Sequence, residues 1–330
     1  MAYTAGDTIL DDEYNNFVNS SSSPYGINYI IGTGTGNVGL GQTELATTSA
    51  GTTISATQWN SLFTAMDNLA NHTNDTITST SARTAGDTIA AIAALTSDLA
   101  TLQPSVQGGC ANATAVSEGG EDLSLVASAV FDTSHIVEAS FTFDGGDEAR
   151  WFFNAGGKLR VKITNAATNS TAIDTSYGQL ITALGNFDMG ATTSARSGTG
   201  ETLTTDGSAL GYYDLTTSYQ TLIKLTQDDG TYSGAHSITV EAKTSAAHAD
   251  GRGNNGEVVT LKVSIATTET SPATDDYTAG NTDSQPVEIN AGGPTDVAFH
   301  TVDPTTGEGL ATVYTNIVVA EVSNNIVNYD

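Results

Sequence analysis

Adjacent carboxylates are the residues of this sequence that could most directly do chemistry. Two carboxylates held about 5–10 Å apart across a sugar can hydrolyse a glycosidic bond, and Asp228 with Asp229 would be the pair to test for a depolymerase. Carboxylates in turns can also bind Ca²⁺, which takes several oxygen ligands. Because most of these pairs lie in predicted turns, where Asp supports the backbone geometry, we predict a structural role for them. The acidic runs are Asp11-Asp12-Glu13, Asp147-Glu148, Asp228-Asp229 and Asp275-Asp276.

Other catalytic or cofactor-binding motifs are missing from the sequence. It has neither a G-x-S-x-G elbow nor a Walker loop, and no D-x-[DN]-x-[DN]-G calcium loop. The glycine-rich stretch 32–39 follows no predicted strand and leads directly into no predicted helix, so it does not qualify as a dinucleotide loop. We therefore predict no enzymatic activity and no cofactor, with Ca²⁺ as the alternative. The histidines, none at metal-binding spacing, are His72, His135, His236, His248 and His300.

The charge balance of the chain restricts the classes of molecule that it can bind. Ten basic residues stand against 37 acidic ones, which gives a formal net charge of −27. Such a chain repels nucleic acid and anionic membranes at long range, so we expect no nucleic-acid partner. No apolar run reaches the roughly 18 residues of a membrane span, and the N-terminus does not resemble a signal peptide. Cys110 is the single cysteine, which excludes an intrachain disulfide.

The segment Arg150 to Val161 is the densest aromatic cluster of the chain, and it also contains three of the ten basic residues. Trp151, Phe152 and Phe153 lie between two stretches of alternating apolar and polar residues, each of which predicts a strand. An aromatic cluster in that position most simply fills the core between sheets. We therefore predict that Phe152 or Phe153 is buried, and that Gly156 ends a short helix.

Residues 1–104 carry an internal repeat that predicts turns followed by short helices. Ala50-Gly51-Thr52-Thr53-Ile54 repeats the pattern of Ala5-Gly6-Asp7-Thr8-Ile9, and Ala85-Gly86-Asp87-Thr88-Ile89 opens a third copy. The second and third copies continue with apolar residues at helical spacing, and Pro104 is expected to stop the last helix. Apolar stripes with few charged neighbours predict contacts to a partner chain. The candidate oligomer contacts are Trp59, Phe63, Met66, Ile92, Leu95, Leu99 and Leu102.

Residues 105–135 are interpreted as a linker with a weak strand, and residues 136–330 as the main domain. From residue 136 the apolar positions recur with period two, as in half-buried strands. The three stretches around Ile223, Val240 and Val263 predict an antiparallel meander, and the last apolar run, 313–322, returns into a sheet. The fold class is mainly β: an antiparallel β-sandwich or jelly-roll-like domain with two short helices, preceded by an extended and helical repeat region.

One predicted strand has a basic outward face in an otherwise acidic protein. Lys158, Arg160 and Lys162 alternate there with apolar residues. Pairing with acidic residues on a neighbouring strand is the simpler interpretation. A functional anion site is the alternative.

Three segments together resemble virion structural proteins of tailed bacteriophages, notably cyanophages and other marine phages. They are Ile54 to Asn60, Phe152-Phe153-Asn154-Ala155-Gly156-Gly157, and Tyr213-Asp214-Leu215-Thr216-Thr217-Ser218-Tyr219-Gln220, and the basic strand and the predicted helix Tyr177 to Leu184 lie between the last two. The resemblance implies a non-enzymatic, homo-oligomeric component of the particle, such as a tail fibre, a collar or a baseplate-associated appendage, and a trimer if it is a fibre. Its partners would be copies of itself and other virion proteins, and it would be assembled into virions in the host cytoplasm.

Two alternatives remain open at the level of the sequence. The chain could decorate the capsid, or it could be a carbohydrate-binding adhesin module that attaches the particle to polysaccharide on the host surface. Adhesion would require exposed aromatic residues on loops. The candidate glycan contacts are Tyr212, Tyr213, Tyr232 and Tyr277, with ordinary packing as the alternative for each.

Overall fold

The computed structural model describes residues 11–32, 39–78, 81–82, 84, 92–107, 116–118, 122–128, 131, 133–165, 172–199, 204–227, 236–246, 256–267, 295–304 and 317–327. These residues form a mainly β protein. The helices are α1 (Asp11–Asn19), α2 (Ile27–Ile31), α3 (Ala56–Thr73), α4 (Ile92–Gln107), α5 (Gly146–Asn154) and α6 (Ala172–Leu184). The strands are β1 (Val116–Glu118), β2 (Leu123–Val126), β3 (Ser134–Thr142), β4 (Lys158–Asn165), β5 (Phe187–Met189), β6 (Ser194–Arg196), β7 (Thr204–Asp206), β8 (Gln220–Gln227), β9 (His236–Thr244), β10 (Val258–Thr267), β11 (Thr295–Pro304) and β12 (Val318–Val327).

The strands form two antiparallel sheets of six strands each. Sheet A has the order β1-β11-β4-β5-β6, and β2 also pairs with β11. Sheet B has the order β12-β3-β10-β9-β8-β7. The predicted meander is confirmed, because β8, β9 and β10 pair consecutively and antiparallel. The final apolar run also returns into a sheet, as β12 beside β3.

One hydrophobic core joins the two sheets and the helices. The ring of Phe141 on β3 meets that of Phe299 on β11, with 6.4 Å between ring centroids. The alternation in β3 explains the contact, since Val137, Ala139 and Phe141 are buried while the residues between them are partly exposed. Helix α6 packs against β4 in sheet A and against β8 and β9 in sheet B.

Helix α3 is the helix predicted from the second copy of the repeat. It begins with a capping box, in which Gln58 N donates to Ser55 Oγ and Ser55 N donates to Gln58 Oε1. It ends at Asn74, which adopts a left-handed conformation with φ 61°. The motifs that open the first and third copies lie outside the described residues.

The structure contradicts one prediction about residues 92–135 and extends another. Helix α4 continues through Pro104 to Gln107. Val106 in its last turn is buried, so the turn that follows the proline is packed against the core. The stretch interpreted as a linker contains β1 and β2, which both pair with β11. Both strands therefore belong to sheet A. No strand was predicted at β11, which is a central strand of that sheet.

Candidate functional site

Helix α5 carries the aromatic cluster, and its sequence explains where it begins and ends. Asp147 and Glu148 occupy its first turn, where negative charge is favoured by the helix dipole. Gly156 follows the last turn with φ 93°, a left-handed conformation that favours glycine. The predicted helix stop is confirmed.

Phe152 and Phe153 are both fully buried, which confirms the prediction that at least one of them fills the core. Their rings meet edge to face, and Phe153 also stacks on Tyr212 with 4.3 Å between ring centroids. The backbone at Gly157 runs directly over Phe152, since a Cβ at Gly157 would lie 2.6 Å from the Phe152 ring. The two phenylalanine rings are therefore the packing centre of this segment.

Polar contacts at the end of α5 connect the N-terminal helices to the sheets. The Tyr213 hydroxyl donates to Asn154 Oδ1, and Asn154 Nδ2 donates to the Gly39 carbonyl over 3.1 Å. One residue further on, His72 Nε2 on α3 lies 2.7 Å from the Ala155 carbonyl. Asn154 and His72 are both buried. The end of α5 is therefore a polar junction between residues distant in the sequence.

Arg150 is fully buried within this junction. Its guanidinium is 3.2 Å from the Asp147 carboxylate on the preceding turn of α5, and it lies 6.0 Å from the ring centroid of Trp151. On the neighbouring turn, burial and then the negative charge of Asp144 raise the pKa of Glu148. We interpret the ion pair as a support for α5, in line with the structural role predicted for the acidic residues.

Tyr212 and Tyr213 are not glycan contacts in this structure, which corrects the sequence prediction. Both are buried, with 0% and 5% of their surface exposed. Tyr212 is held by its stacking on Phe153, and Tyr213 by its hydrogen bond to Asn154. Burial also raises the pKa of Tyr212. Tyr232 and Tyr277 lie outside the described residues.

The predicted oligomer contacts on α3 and α4 are also corrected, because their side chains are buried within the chain itself. Helices α2, α3 and α4 pack on one another, and Trp59 meets Tyr14 edge to face at 5.4 Å between centroids. The side chain of Ile92 lies outside the described set. The buried residues of this group are Trp59, Phe63, Met66, Leu95, Leu99 and Leu102.

Cross-strand pairing of the basic strand β4 is confirmed at Arg160. Its Nε and Nη2 atoms donate to the two carboxylate oxygens of Asp188 on β5, at 2.6 and 2.8 Å. This two-point geometry is the strongest that a guanidinium makes with a carboxylate. Asp188 is thereby neutralised on the outer face of sheet A.

A cleft of about 280 Å³ lies beside this ion pair. Small residues of the β5–β6 hairpin and of the Gly156-Gly157 turn form its walls, and Lys158, Asp188 and Arg196 contribute charges. The Lys158 stem runs close to Gly190, with 3.9 Å between Lys158 Cγ and a Cβ placed at that glycine. Since Arg160 neutralises Asp188, the cleft carries a local positive charge in a strongly acidic chain.

The exposed apolar residues form a second feature of the surface. Within the described residues, every large hydrophobic side chain that is exposed belongs to β12 or β2. Such a grouping marks an interaction site more often than scattered exposed residues do. The exposed fractions are 59% for Val318, 53% for Val322, 43% for Val327 and 39% for Val126.

Side-chain hydrogen bonds fix β12 to the rest of the molecule. His135 Nε2 on β3 lies 2.8 Å from Asn324 Oδ1, and Asn324 Nδ2 donates to the Val126 carbonyl over 3.2 Å. His135 is fully buried, and burial lowers its pKa although the hydrogen bond to Asn324 opposes this effect. The sequence predicted that the last apolar run joins a sheet, but alternation alone could not place it at an edge.

The described residues show no metal site. They contain no group of three or more His, Cys, Asp or Glu side chains that could hold a metal ion, so the Ca²⁺ alternative has no site in this part of the chain. Asp228, Asp229, Asp275 and Asp276 lie outside it. None of the helices described is both long enough and apolar enough to cross a membrane.

Comparison of the chain with family models, with curated proteins and with solved structures found no match. The proposed function therefore rests on the surface, the core and the sequence patterns.

Proposed function

We propose that this chain is a non-enzymatic structural component of a tailed-phage virion that assembles with copies of itself and with other virion proteins. The observation that carries the proposal is the grouping of exposed valines on β12 and β2. An apolar sheet edge of this kind needs a covering partner, because exposed strand edges otherwise pair without control. The resemblance of the Ile54, Phe152 and Tyr213 segments to phage structural proteins indicates the kind of assembly.

The scaffold suits such a role. Two six-stranded sheets with a shared core support a β-sandwich, while jelly-roll connectivity stays a prediction. The buried aromatic centre at α5 serves packing, and the net charge of −27 favours solubility before assembly. A fibre, a collar, a baseplate-associated appendage and a capsid decoration all remain consistent with these properties.

The proposal predicts that the chain is part of the mature particle. Mass spectrometry of density-purified virions should detect it at a fixed ratio to the major capsid protein, and antibodies against it should label intact particles in electron micrographs. Empty gradient fractions from the same infected culture are the control for contamination. A chain that is abundant in infected cells but missing from purified particles would refute the virion role.

Adhesion to host polysaccharide is the second candidate function, and one observation favours it. The cleft beside Arg160 places Lys158 and Arg196 among small polar residues. Its volume is close to the lower end of typical ligand pockets, which begin at about 300 Å³. A single acidic sugar unit, carrying a carboxylate or a sulfate, matches this size and charge.

Replacing Lys158 with alanine tests this candidate. If the cleft binds acidic sugars, the wild-type chain should bind uronate- or sulfate-bearing glycans on an array, and Lys158→Ala should weaken that binding at least about tenfold, which corresponds to about 1.4 kcal/mol. Lys224→Ala, a change of a partly buried lysine on sheet B, is the matched control and should bind normally. Wild-type protein that binds no acidic glycan would exclude the cleft as an adhesion site.

A further inference from the structure

We propose that β12 pairs antiparallel with β12 of a second copy about a twofold axis, which would join the two B sheets into one continuous sheet. This inference rests on the proposed assembly role and names the first partner. It assigns the apolar edge to self-association.

Strand β12 is the edge of sheet B, and the core covers it only in part. It pairs with β3 along one side, and no other strand among the described residues pairs with its second side. None of its ten residues is buried. An edge strand presents a row of unpaired backbone N–H and C=O groups, which is a template for another strand. The fold therefore offers β12 as a ready surface for strand addition.

A β-bulge sets which side chains of β12 share a face. The pairing with β3 shifts register between Glu321 and Ser323, which leaves Val322 as the extra residue. Residues opposite His135, Val137, Ala139 and Phe141, which form the core face of β3, point toward the core, and the alternate residues point outward. The core-facing set is Val319, Glu321, Asn324 and Ile326, and the outward set is Val318, Ala320, Ser323, Asn325 and Val327.

Because of the bulge, core-facing and outward positions follow each other in the same order from either end of β12. An antiparallel second copy can therefore align all ten residues so that core-facing residues meet core-facing residues and outward residues meet outward ones. Only Val322, the bulged residue, breaks the match. The outer pairs at both ends of the two strands are apolar. They are Val318 with Val327 and Val319 with Ile326.

The charge pattern selects a second copy as the partner and also selects the antiparallel direction. Glu321 is the only charged residue of β12 in a chain of net charge −27, so this edge is a place where two copies can approach with little local repulsion. In the antiparallel alignment Glu321 lies opposite Asn324, an amide, whereas a parallel in-register alignment would place Glu321 opposite itself. Like charges directly opposite each other destabilise a sheet.

The symmetry has a consequence for the assembly. A twofold contact uses the same patch on both copies, so it closes at two subunits. The edge would then build dimers, or assemblies with an even number of copies, in place of the trimer implied by the resemblance to fibres.

Light scattering coupled to size exclusion tests the pairing on the full chain. We expect the wild-type protein to run as a dimer, and Val318→Lys/Val327→Lys to run as a monomer at the same concentration. Thr217→Lys/Ser218→Lys, at two exposed loop positions, is the control and should stay dimeric. Both variants reduce the net negative charge by the same amount, so a change in overall repulsion cannot explain a difference between them.

Disulfide trapping tests the register with milder substitutions, in a Cys110→Ser background. Oxidation of a mixture of Val318→Cys and Val327→Cys chains should give covalent dimers, because these positions lie opposite each other. Either variant alone should give few, since its two thiols would be about 30 Å apart along the paired strands.

The pairing is overturned if the wild-type chain is monomeric over the accessible concentrations, or if the lysine variant remains a dimer. Neither result bears on whether the chain is found in virions. A monomeric chain that is present in purified particles would leave the virion role standing. A dimer that is absent from particles would keep the pairing and remove the virion role.

Discussion

Replacing Phe153 with alanine is expected to lower the free energy of unfolding by about 3–5 kcal/mol, the range for truncating a buried aromatic ring. The ring is fully buried, stacks on Tyr212, and contacts Phe143 and Phe152. Its removal deletes three ring contacts and leaves a cavity where α5, the turn before β4 and the 3-10 helix Tyr212–Asp214 meet.

Urea denaturation followed by tryptophan fluorescence measures this loss, because the half-buried Trp151 reports on the same helix. Phe153→Met is the matched control, since swaps that nearly conserve volume usually cost under about 1.5 kcal/mol. If the alanine variant lost less than about 1 kcal/mol, the ring would not be a packing centre, and the segment would have to be reconsidered as an interaction surface.

The strands were predictable where the sequence alternates, because period two identifies both a strand and its buried face. Val137, Ala139 and Phe141 are one such case, and each of them is buried. Strand β11 was not predictable in this way. It is buried on both faces over most of its length, so apolar and polar residues do not alternate regularly around Phe299. Its position in sheet A depends on pairing with β4, which is distant in the sequence.

Errors at the candidate sites have one physical cause. An amphipathic helix shows that a face must be covered, but its sequence does not say by which chain. The stripe of α3 and α4 was assigned to a partner subunit and is covered by the chain itself. Tyr212 and Tyr213 were candidate glycan contacts, a role that would have required them to be exposed on loops. Their burial depends on α5, about 60 residues earlier, which no local pattern reveals.

Functional surfaces were the least predictable features, because they depend on the order of strands within the sheets. The basic face of β4 was visible in the sequence, yet only the position of β5 decides that Arg160 is paired with Asp188. Lys158, two residues earlier, lines a cleft instead. Similarly, the valines of β12 resemble core residues in the sequence, and only the order of strands in the sheet shows that β12 lies at an edge.

Replacing Asn154 with leucine is expected to destabilise the protein by about 1–3 kcal/mol for each of the two buried partners left unsatisfied, the Tyr213 hydroxyl and the Gly39 carbonyl. Leucine is similar in size to asparagine, so the loss would reflect hydrogen bonds more than volume. Urea denaturation measures the change in the free energy of unfolding. In a double-mutant cycle, Tyr213→Phe should cost less in the leucine background than in wild type, because its hydroxyl no longer has a partner there. Strictly additive costs would show that the two side chains are not coupled.

A change of Asn154 to aspartate adds a pH-dependent test of the same junction. The carboxyl has nearly the shape of the amide, but it cannot donate to the Gly39 carbonyl when it is ionised, and burial disfavours its charge. Its pKa in the folded state should therefore lie above the value of about 3.9 in the unfolded chain. The folded variant then binds the proton more tightly, so its stability relative to wild type should be lowest at neutral pH and rise as the pH falls through the folded-state pKa.

Wild-type protein measured in parallel corrects for all other titrating groups. A difference in stability between variant and wild type that does not change from pH 7 to pH 4 would mean that residue 154 is solvated, and that α5 does not hold the helices and sheets together through a buried hydrogen bond.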